Sequence, residues 1–153
     1  MAANNERPRL DITPHWATVQ RDLLRIVDLV PEGKIDWSPK TDLWNFRGIL
    51  IHVSDARDRW LADRVVDGDP YPNIWTTART TTDLTRELVR TWDRMQRFLA
   101  NQSQLDTEYE IEHHDEHPSG HWIAFHLIEH DIHHRAELMQ RLAMLDVEHG
   151  IDL

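Results

Sequence analysis

Histidine is concentrated near the end of the chain, where the segment FHLIEHDIHHRAEL (residues 125–138) holds four histidines within nine positions. The other residues of this segment are largely apolar and recur at helical spacing, as in a buried helix. Histidine is a middling helix former and costs free energy to bury, so its density here calls for an explanation. The candidates are metal binding, proton transfer and chance.

Two of these histidines share one face of the predicted helix. At about 100° per residue, His130 and His134 fall within an apolar stripe, whereas His126 and His133 fall on a more polar edge. The stripe consists of Ile123, Leu127 and Leu138. Imidazoles at positions i and i+4 stack within reach of a single ion, and no acidic residue lies beside them on the helical wheel. The pair therefore favours metal ligation over a structural role.

A third ligand must come from upstream, and the chain has no cysteine to supply a thiolate. His52 is the only histidine of the predicted second helix, and it borders that helix's apolar stripe, which contains Ile49, Ala56 and Trp60. We expect His52 to meet the His130/His134 pair across the core. Three imidazoles on one ion leave coordination positions open for water or substrate, as in catalytic rather than structural sites.

Two other metal sites fit the sequence less well. The letters HDIHH also match H-D-x-x-H, a relative of the zinc-protease motif with Asp131 as the base, but Gln140 occupies the place of the usual third histidine. A ferritin-like di-iron site would need two Glu-x-x-His pairs on helices. The one match, Glu110 to His113, falls in a predicted loop.

A second histidine cluster, HHDEHPSGH (residues 113–121), contains His113, His114, His117 and His121. It is either a polar loop that leads into the last helix, or a second metal site or lid. His126 and His133 either orient the ligands through hydrogen bonds or are edge residues. Glu129 and Asp55 either accept a ring N–H from a ligand or are solvated.

Four predicted helices must position these residues. They begin with Thr13 as N-cap and Pro14 at the first helical position, after Asn45, near Thr82, and near Ser119, the last running to about Leu145. The connections at 31–44 and 67–81 are too long for tight turns, so at least one crosses the bundle. TEYEIEH alternates as a short strand would, without an evident partner. The prediction is a single all-α domain over residues 1–153, a four-helix bundle with long crossover connections.

Composition excludes several partners. The net charge of −10 and the lack of a basic run argue against nucleic-acid binding. No apolar run approaches the ~20 residues of a membrane span, and the N-terminus lacks a signal-peptide core, so we expect a cytoplasmic protein without membrane contact.

The last helix carries a second apolar stripe, which points more than about 120° away from the His130/His134 direction. It consists of Phe125, Ile128, Ile132, Met139 and Ala143. If the histidines face the bundle centre, another surface must cover this stripe. We predict a two-fold homodimer that buries it.

The segments ILIHVSDARDRWL and HLIEHDIHHRAEL, about eighty residues apart, resemble those of the DinB/YfiT-like superfamily of bacterial metal-binding bundles (not the DNA polymerase DinB). The resemblance extends over essentially the whole chain. It implies an up-down-down-up bundle, often dimeric, with a divalent ion (Ni, Zn or similar) on His52, His130 and His134. The chain departs from many members at Arg57, where they have Glu, and at Ala136-Glu137, where they have Gly-Gln.

Relatives in this superfamily include thiol S-transferases, a mycothiol-dependent isomerase and many members without an assigned reaction. The resemblance therefore favours a metal-dependent enzyme that activates a small thiol or water against an electrophilic small molecule in a tryptophan-lined pocket. Thiol transfer is favoured over hydrolysis through the resemblance alone. The alternative from another class is a non-catalytic metal-binding stress or interaction protein.

Overall fold

The computed structural model describes residues 10–111 and 117–152. Five α-helices account for most of this part of the chain: α1 (Thr13–Leu29), α2 (Phe46–Arg59), α3 (Thr81–Leu99), α4 (Gln102–Asp106) and α5 (Gly120–Met144). The described residues contain no β-strand, and the predicted TEYEIEH strand is reduced to an isolated bridge between Glu108 and Ser119. The all-α prediction is confirmed.

The helix starts follow from capping side chains. Asn45 accepts a hydrogen bond from Gly48 N at 2.7 Å, as the start predicted after it requires, and Ser119, near which the last helix is predicted to begin, accepts one from Trp122 N. Thr80 and Asp83 form a reciprocal capping box at α3. Thr13 was predicted as the N-cap of α1, but it is the first helical residue. The preceding Asp11 carboxylate accepts its N–H instead.

The four long helices pack in a ring. Helices α1 and α2 each pack against both α3 and α5. The interior is filled by side chains with no exposed surface, among them Trp16, Leu23, Ile49, Leu88, Ile123 and Leu138. This arrangement fits a four-helix bundle, whereas the up-down-down-up order of helix directions stays a prediction. No helix in the described ranges is long and apolar enough to cross a membrane.

Two long connections join the first three long helices, as predicted. The second connection begins after a π-helical turn over Trp60–Val65, which continues α2 beyond Arg59. Arg94 of α3 anchors this connection, because its guanidinium binds the Asp67 carboxylate at 2.6 Å and the buried Asp58 carboxylate of α2 at 2.9 Å.

The short helix α4 was not predicted. It packs against the start of α5, where a Cβ atom on Gly120 would lie 2.2 Å from the backbone oxygen of Gln104. Gly120 therefore allows an approach that no other residue permits. This contact fixes where the histidine-rich helix begins.

The two apolar stripes predicted for α5 are parts of one broad buried surface. Ile128 and Met139 of the second stripe are buried within the chain, and Ile132 packs half-buried against the same core. Only the outer edge, at Phe125 and Ala143, is exposed. Most of the stripe therefore needs no second chain to cover it, and the homodimer stays a prediction.

Candidate metal centre

Three histidines from two helices converge where α2 packs against α5. His52 lies nearly two turns into α2, and His130 and His134 lie one turn apart on α5. One ring nitrogen of each lies within 4.8 Å of one ring nitrogen of each of the others. The structure thus brings together all three predicted ligands, although His52 lies 78 positions before His130 in the chain.

The shortest contact in this group joins the Nε2 atoms of His52 and His130, which are 2.9 Å apart. The ring of His134 meets the ring of His52 edge-on, with centroids 4.9 Å apart, and that of His130 with centroids 4.5 Å apart. His134 is 9% exposed, and the other two rings are half-buried. The site therefore opens to solvent on the side of His52 and His130.

The surroundings of His52 and His134 favour the neutral form of these two imidazoles. Burial, reinforced by the neighbouring His130 and His134, lowers the pKa of His52 from 6.5 to about 4. Burial also lowers the pKa of His134, although the hydrogen bond to Glu137 opposes that shift. Neutral imidazole is the form that binds a metal ion, so His52 and His134 are ready to act as ligands at neutral pH.

Glu137 orients the ring of His134. Its Oε2 lies 3.0 Å from His134 Nδ1, and its Oε1 lies 2.9 Å from Arg141, which also donates to the backbone oxygen of Trp44. A carboxylate that accepts the Nδ1 proton leaves the Nε2 lone pair free for a ligand role. Glu137 stands where many relatives have Gln, and sequence reasoning had placed it only on a polar edge.

A buried ion pair lies directly behind the site. Asp131 and Arg57 have no exposed side-chain surface, and their carboxylate and guanidinium are 2.8 Å apart. Trp16 donates to the same carboxylate oxygen through Nε1 at 2.7 Å. Gln20 and Thr91 accept from the Arg57 guanidinium. Burial raises the pKa of Asp131, but Arg57 and the hydrogen bonds outweigh it, and the net shift is downward.

Two cavities lie next to each other, and the smaller of them reaches two of the three histidines. One, of about 530 Å³, is lined by His52, His130, Trp75 and Arg59, among others. A larger one, of about 760 Å³, lies beside it and shares Trp60 and His126 with it. The imidazole of His126 stacks on the Trp122 indole with centroids 5.1 Å apart and planes 6° apart. The wall between metal-ligand candidates and the larger cavity is therefore aromatic.

The remaining predicted histidine and acid roles are resolved only in part. Asp55 binds Arg59 and Tyr71 rather than a ring of the three-histidine group, and Glu129 is exposed. In the second cluster, His117 lines the larger cavity and His121 pairs with Asp106. His113 and His114 lie outside the described residues, so the structure does not test the Glu110–His113 pair.

A second group of potential ligands overlaps the first. His133, His134 and Glu137 also place ligand atoms within 4.8 Å of one another, but His133 is exposed. In this group Glu137 already accepts a hydrogen bond from His134 Nδ1, whereas the first group consists of imidazoles only. Three imidazoles in partly buried surroundings suit a borderline divalent ion such as Zn²⁺ or Ni²⁺. The donor set of His52, His130 and His134 therefore fits the implied metal better.

One known protein family matches most of the chain. The family model described as DinB superfamily matches residues 15–138, which include most of α1, all of α2 to α4, most of α5 and all three histidines. No curated protein matches the chain.

Proposed function

The chain belongs to the DinB superfamily, and from this premise we propose that it is a divalent-metal-dependent enzyme whose metal ligands are His52, His130 and His134. The observation that carries the proposal is the convergence of one nitrogen from each ring on a partly buried point. When bound there, a divalent ion lowers the pKa of a coordinated thiol or water enough to make it a nucleophile at neutral pH.

The protein's own contribution is the pair of cavities that would position the two reactants next to the metal site. The chain contains no cysteine, so a thiol nucleophile would have to enter as a cosubstrate. The cavity of about 530 Å³ has room for a small thiol next to His52 and His130. The adjoining cavity of about 760 Å³ would hold the electrophile, with its apolar body against Trp60, Trp122 and Ile111. Volumes of this size are typical of small-molecule sites.

The metal site is tested by binding stoichiometry and two matched variants. Wild-type protein should bind about one Ni²⁺ or Zn²⁺ per chain by titration calorimetry and elemental analysis. His52→Ala should weaken binding by at least about 100-fold, since two imidazoles make a poor site. His133→Ala, which removes a histidine of the overlapping second group, should leave affinity within about threefold. The opposite pattern would move the metal to His133, His134 and Glu137.

Turnover is tested separately from metal binding. Metal-loaded protein is incubated with an electrophile panel in the presence or absence of low-molecular-weight thiols, and products are identified by mass spectrometry. A thiol conjugate that His134→Ala fails to form supports the transferase activity, and a hydrolysis product formed without thiol supports the hydrolase alternative. Metal binding without either product supports a non-catalytic metal-binding protein.

A further inference from the structure

The two carboxylate oxygens of Asp131 differ sharply in the hydrogen bonds that they accept. Oδ2 accepts all of its hydrogen bonds: one from Trp16 Nε1 and two from Arg57, through Nε at 3.1 Å and Nη2 at 2.8 Å. Oδ1 has no partner within the described residues, although it is fully buried. A buried carboxylate oxygen without a donor costs free energy, so its position needs an explanation.

The nearest candidate donor is on a metal-ligand candidate. Oδ1 lies 3.6 Å from Nδ1 of His130, and that nitrogen is itself buried without a partner. The distance is too long for a hydrogen bond, but a small rotation of the imidazole would bring it to about 2.9 Å. These two atoms are the only buried, unpaired side-chain atoms of the described residues that face each other across the site.

We propose that Asp131 is a positioning residue that holds the proton of His130 on Nδ1, so that the Nε2 lone pair faces His52 and His134. The proposal rests on the metal site proposed above. In the metal-free protein, with the proton on Nδ1, His130 Nε2 can only accept, so the 2.9 Å contact has His52 Nε2–H as the donor, and this proton would have to leave Nε2 for that atom to bind a metal ion. Glu137 would likewise hold the proton of His134 on Nδ1. Each of the two ligands on α5 would then have its own carboxylate partner.

The environment of Asp131 makes this role difficult to replace. Trp16 and Arg57 only donate hydrogen bonds, so the group that faces them must accept. In Asp131→Asn the amide oxygen would have to face these donors, and the amide NH₂ would then face His130. Nδ1 of His130 would accept from that NH₂, its proton would move to Nε2, and Nε2 would no longer be a ligand. The substitution thus reverses the tautomer while nearly preserving side-chain shape.

The experiment compares Asp131→Asn with Gln20→Leu. The Gln20 side chain accepts from Arg57 Nη2 at the far end of the same network and does not touch His130. Nickel affinity, measured by competition with a chromophoric chelator, should fall about 10- to 100-fold in Asp131→Asn. In Gln20→Leu it should stay within about twofold, even though the protein is destabilised. Equal losses in both variants, or no loss in Asp131→Asn, would overturn the proposal.

A second readout needs no metal and does not depend on whether Asp131→Asn folds. In metal-free wild-type protein above pH ~6.5, long-range ¹⁵N–¹H NMR correlations of the histidine rings report which nitrogen holds the proton. The His130 signals, identified by their loss in His130→Gln, should show an Nδ1–H tautomer, and an Nε2–H tautomer would overturn the proposal. Wild-type protein that binds no metal would refute the proposed function, whereas this measurement would still decide the role of Asp131.

Discussion

Among the three candidate ligands, His52 has the most strongly lowered pKa, so the folded protein resists its protonation. The folded protein lowers its pKa to about 4, whereas in the unfolded chain the imidazole has its ordinary pKa of about 6.5. Between these values the unfolded state binds a proton that the folded state does not. The free energy of unfolding of the metal-free protein must therefore fall as the pH drops from about 6.5 towards 4, and must not change on this account above 6.5.

This linkage predicts the effect of His52→Gln. Between pH 7 and pH 5, metal-free wild-type protein should lose about 1 kcal/mol more stability than His52→Gln, after allowance for the partial exposure of the ring. Urea unfolding at both pH values gives the comparison. His15→Gln, which removes an exposed histidine of α1, should retain the wild-type loss. If His52→Gln retains it as well, His52 is not held neutral in the folded state.

At the scale of single residues, the sequence predicts those candidate ligands whose placement depends only on spacing along one helix. His130 and His134 share a helical face at any register, and His52 had no competitor in its helix. Asp131 was considered only as a protease base, because its partner Arg57 lies 74 positions away. On the helical wheel Asp131 falls at about 180° from Trp122, within the buried arc. A buried acid there implies a buried cation, but nothing in the sequence says which arginine supplies it.

At the scale of helices, two arginines of α2 differ sharply in their expected contribution to stability. Arg57 pairs with the buried Asp131 of α5, whereas the nearby Arg59 lies at the surface. Arg57→Ala should destabilise the protein by about 3–5 kcal/mol, because it leaves a buried carboxylate without its cation. Arg59→Ala provides the matched control on the same helix. Arg59 also pairs with an aspartate but is 55% exposed, so its loss should cost at most about 1 kcal/mol. Similar midpoints of urea unfolding for the two variants would contradict this account.

The first turn of α5 and the π-helical turn after α2 together form the aromatic wall of the larger cavity. Trp122 is 47% exposed, so Trp122→Ala should fold normally and still bind metal. It should weaken binding of a neutral fluorescent naphthalene such as N-phenyl-1-naphthylamine by about 2- to 10-fold, the range expected for one aromatic contact. Trp122→Phe should restore most of the affinity, and Met144→Ala, at the exposed far end of α5, should not change it.

An unchanged affinity in Trp122→Ala would place the apolar ligand elsewhere.

The elements that form this wall also show what a sequence can and cannot predict. The Ser119 and Asn45 caps were predictable because side chains next to a helix start set its boundary locally. Helix α4 and the π-helical turn were not, because Gly120 reveals its need for a close approach only once α4 is in place. Which helices are neighbours depends on packing across the whole ring.

For the molecule as a whole, the question is what lies against α5. The sequence suggested two separate apolar stripes, because a helical wheel does not show how wide an arc three neighbouring elements can cover. In the structure the buried arc includes Ile128 and Met139. The large apolar residue of the second stripe that stays exposed is Phe125, at 60%. Any self-association through α5 must therefore use a smaller contact than the full stripe.

We expect a two-fold homodimer in which the exposed edge of α5 around Phe125 meets its own copy. Each chain carries a net charge of −10, so the copies repel each other and the contact must be apolar. Dimerisation should therefore strengthen between about 0.1 and about 1 M salt, as the Debye length falls from about 10 Å to about 3 Å. Light scattering at micromolar concentration should show a dimer for wild type and a folded, metal-binding monomer for Phe125→Glu. Val89→Glu, at an exposed apolar position of α3, should remain dimeric. A wild-type protein that is monomeric even at high salt would rule out the homodimer and leave each chain with a complete three-histidine site of its own.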